Sequence, residues 1–223
     1  MIAARTIEVV LFDLDETLYP RSAGLMQAIG RRIGMYMEER LGMPPELVSR
    51  LRPEYFQKYG TSLRGLQIHH HIDADDYLDF VHDVVLSDYI GLDPALKAML
   101  SEIAARKVVF TNAHEHHARS VLRVLGIEDY FETIIDVRTF QFVGKPDPQA
   151  YQLAIDLLAV PAAKCLLVED NVRNLRPGKA LGMVTVLVGD HEPEDGIVDY
   201  HVDSVLGVRE VLSQLEAVGL SSS

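Results

Sequence analysis

An apolar run that ends in two aspartates constrains the fold of this chain most strongly. The segment from Ile7 to Phe12 is mostly apolar and as long as a buried strand, and Asp13 and Asp15 follow it. Because residues two apart in an extended chain point the same way, both carboxylates lie on one side at the strand's carboxyl end. Two carboxylates so placed repel each other unless a proton or cation intervenes. The pattern predicts a buried strand that leads into an active-site loop.

Three further polar segments each come at or soon after the end of an apolar, strand-like run. They are Thr111-Asn112, Lys145 with the proline that follows it, and Glu169-Asp170. An acidic turn after an edge strand would explain the first pair of aspartates alone, but it does not explain this recurrence. In open α/β sheets, ligands bind beyond the carboxyl ends of the strands. We therefore expect the four segments to converge on one site.

The order of the predicted elements indicates an α/β fold in two parts. Residues 19–91 have helical periodicity throughout, whereas strands and helices alternate from residue 92 onward. This alternation predicts a Rossmann-like, doubly wound parallel sheet with right-handed crossovers, formed by residues 1–18 and 92–223. Residues 19–91 form an inserted all-α module. One helix, after Asn171, is expected to start late, at Pro177, because proline is a poor residue inside a helix.

Composition excludes several classes of partner and location. The 223 residues carry a formal charge of −12, which disfavours nucleic acid polymers and acidic membranes but allows a small anion in a locally positive pocket. The amino terminus lacks an apolar signal core, and no stretch reaches the roughly 18 apolar residues of a membrane span. We expect a cytoplasmic protein without a membrane anchor.

The four polar segments, taken in order, carry a resemblance to a known family. Asp13-x-Asp15-x-Thr17-Leu18, Thr111-Asn112, Lys145-Pro146 and Glu169-Asp170 resemble the motifs of the haloacid dehalogenase-like (HAD) superfamily of phosphohydrolases. The resemblance spans the whole chain, and the helical module after the first motif corresponds to a C1 cap of that superfamily. It also disfavours dehalogenation, because the dehalogenase branch lacks the second aspartate.

These residue types suit phosphoryl transfer through a covalent aspartyl phosphate. A carboxylate attacks phosphorus at neutral pH when a cation shields it from the anionic substrate, which makes Asp13 the expected nucleophile. Asp15 is the expected general acid and base. Thr111 and Asn112 precede a helix and are expected to bind phosphate oxygens at its positive end. By analogy with the family, Lys145 contacts both the nucleophile and the phosphoryl group.

A divalent cation would relieve the repulsion among the four acids. Octahedral Mg²⁺ prefers oxygen ligands, and we expect Asp13, the backbone carbonyl of Asp15 and Asp170 to supply them. Glu169 is expected to act through water or hydrogen bonds. Asn174 matches an asparagine of the family pattern that orients these groups from behind the ligands.

The predicted substrate is a small phosphorylated metabolite. In the superfamily the cap covers the leaving group, and here Tyr59 and Arg64 lie in a segment similar to the pyrimidine 5′-nucleotidase branch. The expected activity is Mg²⁺-dependent hydrolysis of a phosphomonoester such as a pyrimidine nucleoside 5′-monophosphate. A phosphomutase, or a phosphatase for a non-nucleotide such as phosphoglycolate, remains the alternative. The aromatic residues near Tyr59, including Phe56, would equally fit the core of the cap.

Two groups of histidines and two arginines have no assigned role. Successive helical positions fan out around the axis, so neither the residues from His69 to His71 nor the group His114, His116 and His117 is expected to bind one metal ion. One of the second group could hydrogen-bond substrate. If the helix starts late at Pro177, Arg173 and Arg176 would approach the site; solvent exposure is the alternative.

Overall fold

The computed structural model of the chain describes residues 6–220 and contains a six-stranded parallel sheet. The strands are β1 Val9–Phe12, β2 Arg106–Phe110, β3 Thr133–Ile135, β4 Cys165–Glu169, β5 Val184–Val188 and β6 Tyr200–Val202. The helices are α1 Leu25–Glu39, α2 Pro45–Tyr59, α3 Ser62–His70, α4 Ala74–His82, α5 Pro94–Glu102, α6 Glu115–Leu125, α7 Pro148–Leu158, α8 Val172–Ala180 and α9 Val208–Leu220. The predicted α/β fold class is confirmed.

The order of the strands places the carboxyl ends of β1 and β4 side by side. The order in the sheet is β3-β2-β1-β4-β5-β6, and Phe12 at the end of β1 lies opposite both Val109 and Val168. After β1 the chain adds β2 and β3 on one side of it, and then adds β4, β5 and β6 on the other side. A ligand crevice forms at such a reversal. Asp13 and Asp170 follow the two strands that border it.

Helices cover both faces of the sheet, which explains why the central strands are continuously apolar. All four residues of β1 are fully buried, as expected for a parallel strand with no solvent-facing side. Val10 and Phe12 pack in the cluster that includes residues of α5, α6 and α9. Val9 and Leu11 pack in the cluster that includes residues of α7 and α8. Both layers of the core therefore position the end of β1.

The four helices between β1 and β2 pack against one another and extend the first of these clusters. Helix α1 contacts α2 and α4, and α2 contacts α3. Buried residues of the four helices join the same cluster as Phe12. The division of the chain after residues 18 and 91 stays a prediction. No helix in residues 6–220 combines the length and apolar character needed to cross a membrane.

The predicted late start of the helix after Asn171 is wrong. Helix α8 begins at Val172 and passes through Pro177 in its second turn. The side chain of Asn171 caps it by accepting a hydrogen bond from the backbone N–H of Arg173 at 3.0 Å. This cap starts the helix early. Pro177 then costs one backbone hydrogen bond without ending the helix.

Candidate active site

A buried lysine joins the carboxyl ends of β1 and β4. Lys145 Nζ donates to Asp13 Oδ1 at 2.6 Å and to Glu169 Oε2 at 2.7 Å. The side chain of Lys145 is only 1% exposed. A buried charge of this kind is costly unless it is paired and hydrogen-bonded, and Lys145 is both. Such a pairing of acids and a cation beyond the ends of parallel strands is typical of a functional site.

Burial and the nearby negative charges raise the pKa values of three acids in this cluster, Asp13, Glu169 and Asp170. Burial, reinforced by the charge of Glu169 and opposed by Lys145, raises the pKa of Asp13 to about 7. Burial also raises the pKa of Glu169 to about 7, and burial together with Asp13 raises the pKa of Asp170 to about 6. Burial acts to lower the pKa of Lys145, but the two carboxylates outweigh it and the pKa lies above its usual value. The acids therefore favour either protonation or a further cation.

Three of the acids are close enough to share a metal ion. One carboxylate oxygen from each of Asp13, Glu169 and Asp170 lies within 4.8 Å of the others. An all-oxygen donor set suits Mg²⁺. Glu169 has protein partners already, since Lys145 donates to Oε2 and the Asn171 backbone N–H donates to Oε1 at 3.3 Å. The group fits the predicted contribution of Asp13 and Asp170 to a metal site.

Asp15 is held by two residues that were not predicted to have this role. The Tyr19 hydroxyl donates to Asp15 Oδ1 at 2.6 Å, and His117 Nε2 lies 3.5 Å from the same oxygen. Burial acts to raise the pKa of Asp15, but His117 and Tyr19 outweigh it and the pKa is lowered. Asp15 is therefore an ionised carboxylate at neutral pH. The sequence did contain a signal for His117, because it follows the Thr111-Asn112 segment and belongs to the group of histidines of which one could hydrogen-bond substrate.

Thr111 and Asn112 lie beside the loop that carries Lys145. The Asn112 amide donates to the Lys145 carbonyl and accepts from the Lys145 N–H, both at 2.8 Å. A Cβ at Gly144 would lie 2.2 Å from Asn112 Oδ1, so this pairing requires glycine. Thr111 is buried, and its Oγ1 accepts from the Ala113 N–H at 3.0 Å. Asn112 thus positions the Lys145 loop, a function not predicted from the sequence.

Two other contacts near the site differ from what the motifs suggested. The N–H of Glu115, at the start of α6, donates to Asp136 Oδ2 at 2.9 Å, so an acid occupies part of the helix end expected to bind phosphate. Asn174 makes its hydrogen bonds through its backbone, to Asn171 and to the hydroxyl of Tyr151. The proposed orienting role of the Asn174 side chain stays a prediction.

Tyr59, at the end of α2, and Arg64, in α3, lie next to the Lys145 loop. Both line a cavity of about 320 Å³ together with Pro146. The Tyr59 hydroxyl is bonded to His69 Nε2 at 2.6 Å. Gly60, which ends α2, approaches so closely that a Cβ there would lie 2.5 Å from the Lys145 carbonyl. The structure therefore places this segment beside the Lys145 loop, and its role in substrate specificity stays a prediction.

Arg173 and Arg176 both bind protein groups, and Arg173 also lines the cavity formed by Tyr59, Arg64 and Pro146. Arg173 donates to the carbonyls of Phe56 and Gln57 at 2.8 and 2.6 Å, and so binds the last turn of α2. Arg176 pairs with Glu194. Phe56 is 46% exposed, with the Arg173 guanidinium 5.7 Å from the centre of its ring, and is not part of the cap core.

The histidines form two groups that differ in their partners. His69 and His70 are hydrogen-bonded to different tyrosines, so their rings do not converge on one point. In the second group the ring of His82, from α4, stacks on His117 at 4.1 Å and on His114 at 4.7 Å. Stacked rings do not direct their nitrogens at one ion.

Comparison with known proteins supports the resemblance seen in the motifs. The model of the haloacid dehalogenase-like hydrolase family matches residues 7–182. Phosphate metabolism protein 8 of Saccharomyces cerevisiae is 29% identical over 84% of this chain, and the match spans 64% of the yeast protein, just under two thirds. Pyrophosphatase PpaX of Halalkalibacterium halodurans is 25% identical over 97% of this chain and 99% of its own. A HAD phosphatase from Thermococcus onnurineus has a similar fold, with a TM-score of 0.64 at 19% identity over 92% of this chain and 98% of its own.

Proposed function

Since the chain belongs to the haloacid dehalogenase-like hydrolase family, we propose that it is a Mg²⁺-dependent phosphomonoester hydrolase that acts through an aspartyl phosphate on Asp13. The observation that carries the proposal is the buried cluster at the ends of β1 and β4. There, Lys145 is bonded to Asp13 and Glu169. A nucleophilic carboxylate that attacks an anionic phosphoryl group needs such a fixed positive charge beside it.

In the first step, an oxygen of Asp13 forms a bond to phosphorus while the bond from phosphorus to the leaving oxygen breaks. Asp15 takes up a proton from solvent when the anionic substrate binds beside it, because a nearby negative charge raises the proton affinity of a carboxylate. It then gives this proton to the leaving oxygen, which departs as an alcohol. Lys145 remains charged and offsets the negative charge that builds up on the phosphoryl oxygens.

In the second step, water attacks the phosphorus of the aspartyl phosphate and the bond from phosphorus to Asp13 breaks. Asp15, now ionised, accepts the proton from water, which restores both carboxyl groups to their starting states. The lowered pKa of Asp15 keeps it ionised at this point, so that it can accept a proton.

Mg²⁺ would be held by Asp13, the backbone carbonyl of Asp15 and Asp170, with Glu169 bonded to Lys145. When bound, it supplies positive charge that keeps these acids ionised and neutralises the phosphoryl group. The assignment is supported by the distance between a carboxylate oxygen of Asp13 and one of Asp170, which is within 4.8 Å.

The proposed substrate is a pyrimidine nucleoside 5′-monophosphate or a similar small phosphorylated metabolite. Support comes from the cavity beside the Lys145 loop, where the ring of Tyr59 could stack on a base and Arg64 could donate hydrogen bonds. The names of the two relatives describe phosphate metabolism and pyrophosphate hydrolysis, so pyrophosphate belongs among the compounds compared.

A phosphate-release screen tests the proposal. The purified chain with Mg²⁺ is offered nucleoside monophosphates, sugar phosphates, phosphoglycolate and pyrophosphate, and Asp13→Asn serves as the negative control. We expect release of phosphate from a monoester, without a bisphosphate activator, that is lost in Asp13→Asn and on chelation with EDTA. Dependence on a bisphosphate activator would indicate a phosphomutase instead. Turnover that survives Asp13→Asn would overturn the mechanism.

A further inference from the structure

Two side chains from different parts of the fold meet at one oxygen of Asp15. Tyr19 lies in the segment that leads from β1 toward α1, and its hydroxyl donates to Oδ1 at 2.6 Å. His117 lies in α6, and its Nε2 is 3.5 Å from the same Oδ1. The hydrogen bond from Tyr19 and the ion-pair distance to His117 both involve Oδ1 and not Oδ2. Oδ2 is therefore the oxygen available to substrate.

The placement of His117 is difficult to explain by packing alone. The residue is 2% exposed, and among residues 6–217 Nε2 makes no hydrogen bond; it faces Asp15 Oδ1 at the ion-pair distance of 3.5 Å. A buried nitrogen without a hydrogen bond destabilises the fold. The ring of His82 stacks on the ring of His117 at 4.1 Å and limits its rotation. A stacked, buried ring beside a carboxylate is suited to fixing the orientation of that carboxylate.

We infer that Tyr19 and His117 are positioning residues that hold Oδ1 of Asp15 and thereby direct Oδ2 toward the leaving-group oxygen. The inference rests on the proposed function, because it assumes that Asp15 protonates the leaving group. A carboxyl group free to rotate would present either oxygen in several directions. Holding it in one orientation raises the rate of proton transfer without any new contact to substrate.

The chemistry of the leaving group separates this role from a merely structural one. An alkyl phosphate releases a strongly basic oxygen and needs a well-placed acid, whereas p-nitrophenyl phosphate releases a weakly basic phenolate and needs little help. The parameter kcat/KM covers the steps up to departure of the leaving group. A loss of positioning therefore lowers kcat/KM for the alkyl ester more than for the aryl ester. A general loss of structure lowers both equally.

The experiment measures kcat/KM for glycerol 3-phosphate and p-nitrophenyl phosphate in the Mg²⁺-loaded enzyme and its variants. Tyr19→Phe removes one hydroxyl, and His117→Phe removes the ring nitrogens while keeping a ring under His82. The ratio of alkyl to aryl kcat/KM should fall by about 10-fold or more in each variant. His117→Gln, which places an amide near the position of Nε2, should recover part of the loss.

Tyr36→Phe is the matched control, because the Tyr36 hydroxyl also donates to an aspartate, Asp76 at 2.9 Å, but within the cap helices. The ratio of alkyl to aryl kcat/KM in Tyr36→Phe should equal that of the wild type. An unchanged ratio in both Tyr19→Phe and His117→Phe would overturn the inference; if His117→Phe does not fold, Tyr19→Phe decides. Failure of the proposed function looks different, since the wild type would then hydrolyse neither ester or Asp13→Asn would remain active.

Discussion

At the scale of single residues, the acids and the lysine of the site could be predicted because their chemistry is visible in the chain. Asp13, Asp15 and Asp170 each follow an apolar run, and this recurrence indicates a site instead of a surface turn. The hydrogen-bond partners of these site residues could not be predicted from the sequence. The contacts of Tyr19 with Asp15 and of Asn112 with the Lys145 backbone depend on side-chain directions that only the assembled fold determines.

Replacing Lys145 by methionine should abolish activity and destabilise the protein at neutral pH. The change leaves Asp13 and Glu169 buried without their cation, and breaking a buried pair costs about 3 to 5 kcal/mol. Since both carboxyl groups have a pKa of about 7, they are protonated at pH 5 and the destabilisation should be smaller there. Urea unfolding without metal at pH 8 and at pH 5 measures the difference.

The control for this variant is Lys164→Met. Lys164 also pairs with a glutamate, Glu8 at 2.5 Å, but the two side chains are 47% and 42% exposed. An exposed pair contributes about 0 to 1 kcal/mol, so this change should have little effect at either pH. Equal destabilisation by the two changes would contradict the account of the buried cluster.

His114 should make the protein less stable in acid. Burial, with the charges of His117 and His116, lowers the pKa of His114 from 6.5 to about 4. The unfolded chain then binds the proton more readily, so this stabilisation is present at pH 7.5 and is lost as the pH falls from about 6.5 toward 4. With the full pKa shift, the free energy of unfolding would fall by about 2 kcal/mol between pH 7.5 and pH 5. His114 lines an open cavity, and screening by solvent there reduces the expected loss to about 1 kcal/mol.

The measurement compares the wild type with His114→Gln by urea unfolding at pH 7.5 and pH 5. The wild type should lose about 1 kcal/mol more than the variant between the two pH values. His201→Gln, at an exposed position in β6, should behave as the wild type does. Identical pH dependence of wild type and His114→Gln would refute the prediction.

At the scale of elements, the strands were predictable and one helix start was not. The central strands are buried on both faces, and their apolar runs show this directly. For α8, the rule that proline ends helices was applied without weighing the Asn171 cap against it. The close approach of α2 to the Lys145 loop was also not predictable, because Gly60 could be read only as a helix end.

Gly60→Ala should separate α2 from the Lys145 loop. The new Cβ would lie 2.5 Å from the Lys145 carbonyl, so one backbone segment must move. Gly42→Ala is the matched control, since Gly42 also has a positive φ, of 64° against 85°, but has no atom within 4 Å of its Cβ position. Both variants place a side chain at a positive φ, and Gly60, with ψ of −33°, also lies outside the left-handed helical region.

We expect Gly60→Ala to be about 1 to 3 kcal/mol less stable than Gly42→Ala, with a lower kcat/KM as well. Thermal unfolding and phosphate release measure the two effects. If the two variants have equal stability and activity, the contact between α2 and the Lys145 loop is not important to the site.

At the scale of the whole molecule, the order of strands assembles a site from segments more than a hundred residues apart in sequence. The position of this site could be predicted, because parallel α/β sheets bind ligands at the reversal of strand order. The substrate could not, because it depends on the shape of the space between Tyr59, Arg64 and the Lys145 loop. That shape follows from how four helices pack, which residue patterns do not specify.

Binding of Mg²⁺ should strengthen as the pH rises. The metal requires ionised ligands, and the raised pKa values of Asp13, about 7, and Asp170, about 6, mean that protons compete with it. Isothermal titration calorimetry in buffers of different ionisation enthalpy should show higher affinity at pH 8 than at pH 6, with proton release on binding at pH 6. An affinity that does not change with pH would place the metal elsewhere.

The central claim is that Asp13 carries the phosphoryl group between the two steps. The wild type is mixed with substrate and Mg²⁺, quenched in acid within a single turnover, digested and examined by mass spectrometry. We predict one phosphoryl group on the peptide that contains Asp13, and none in Asp13→Asn. A wild type that releases phosphate without ever carrying a phosphoryl group on Asp13 would contradict the claim.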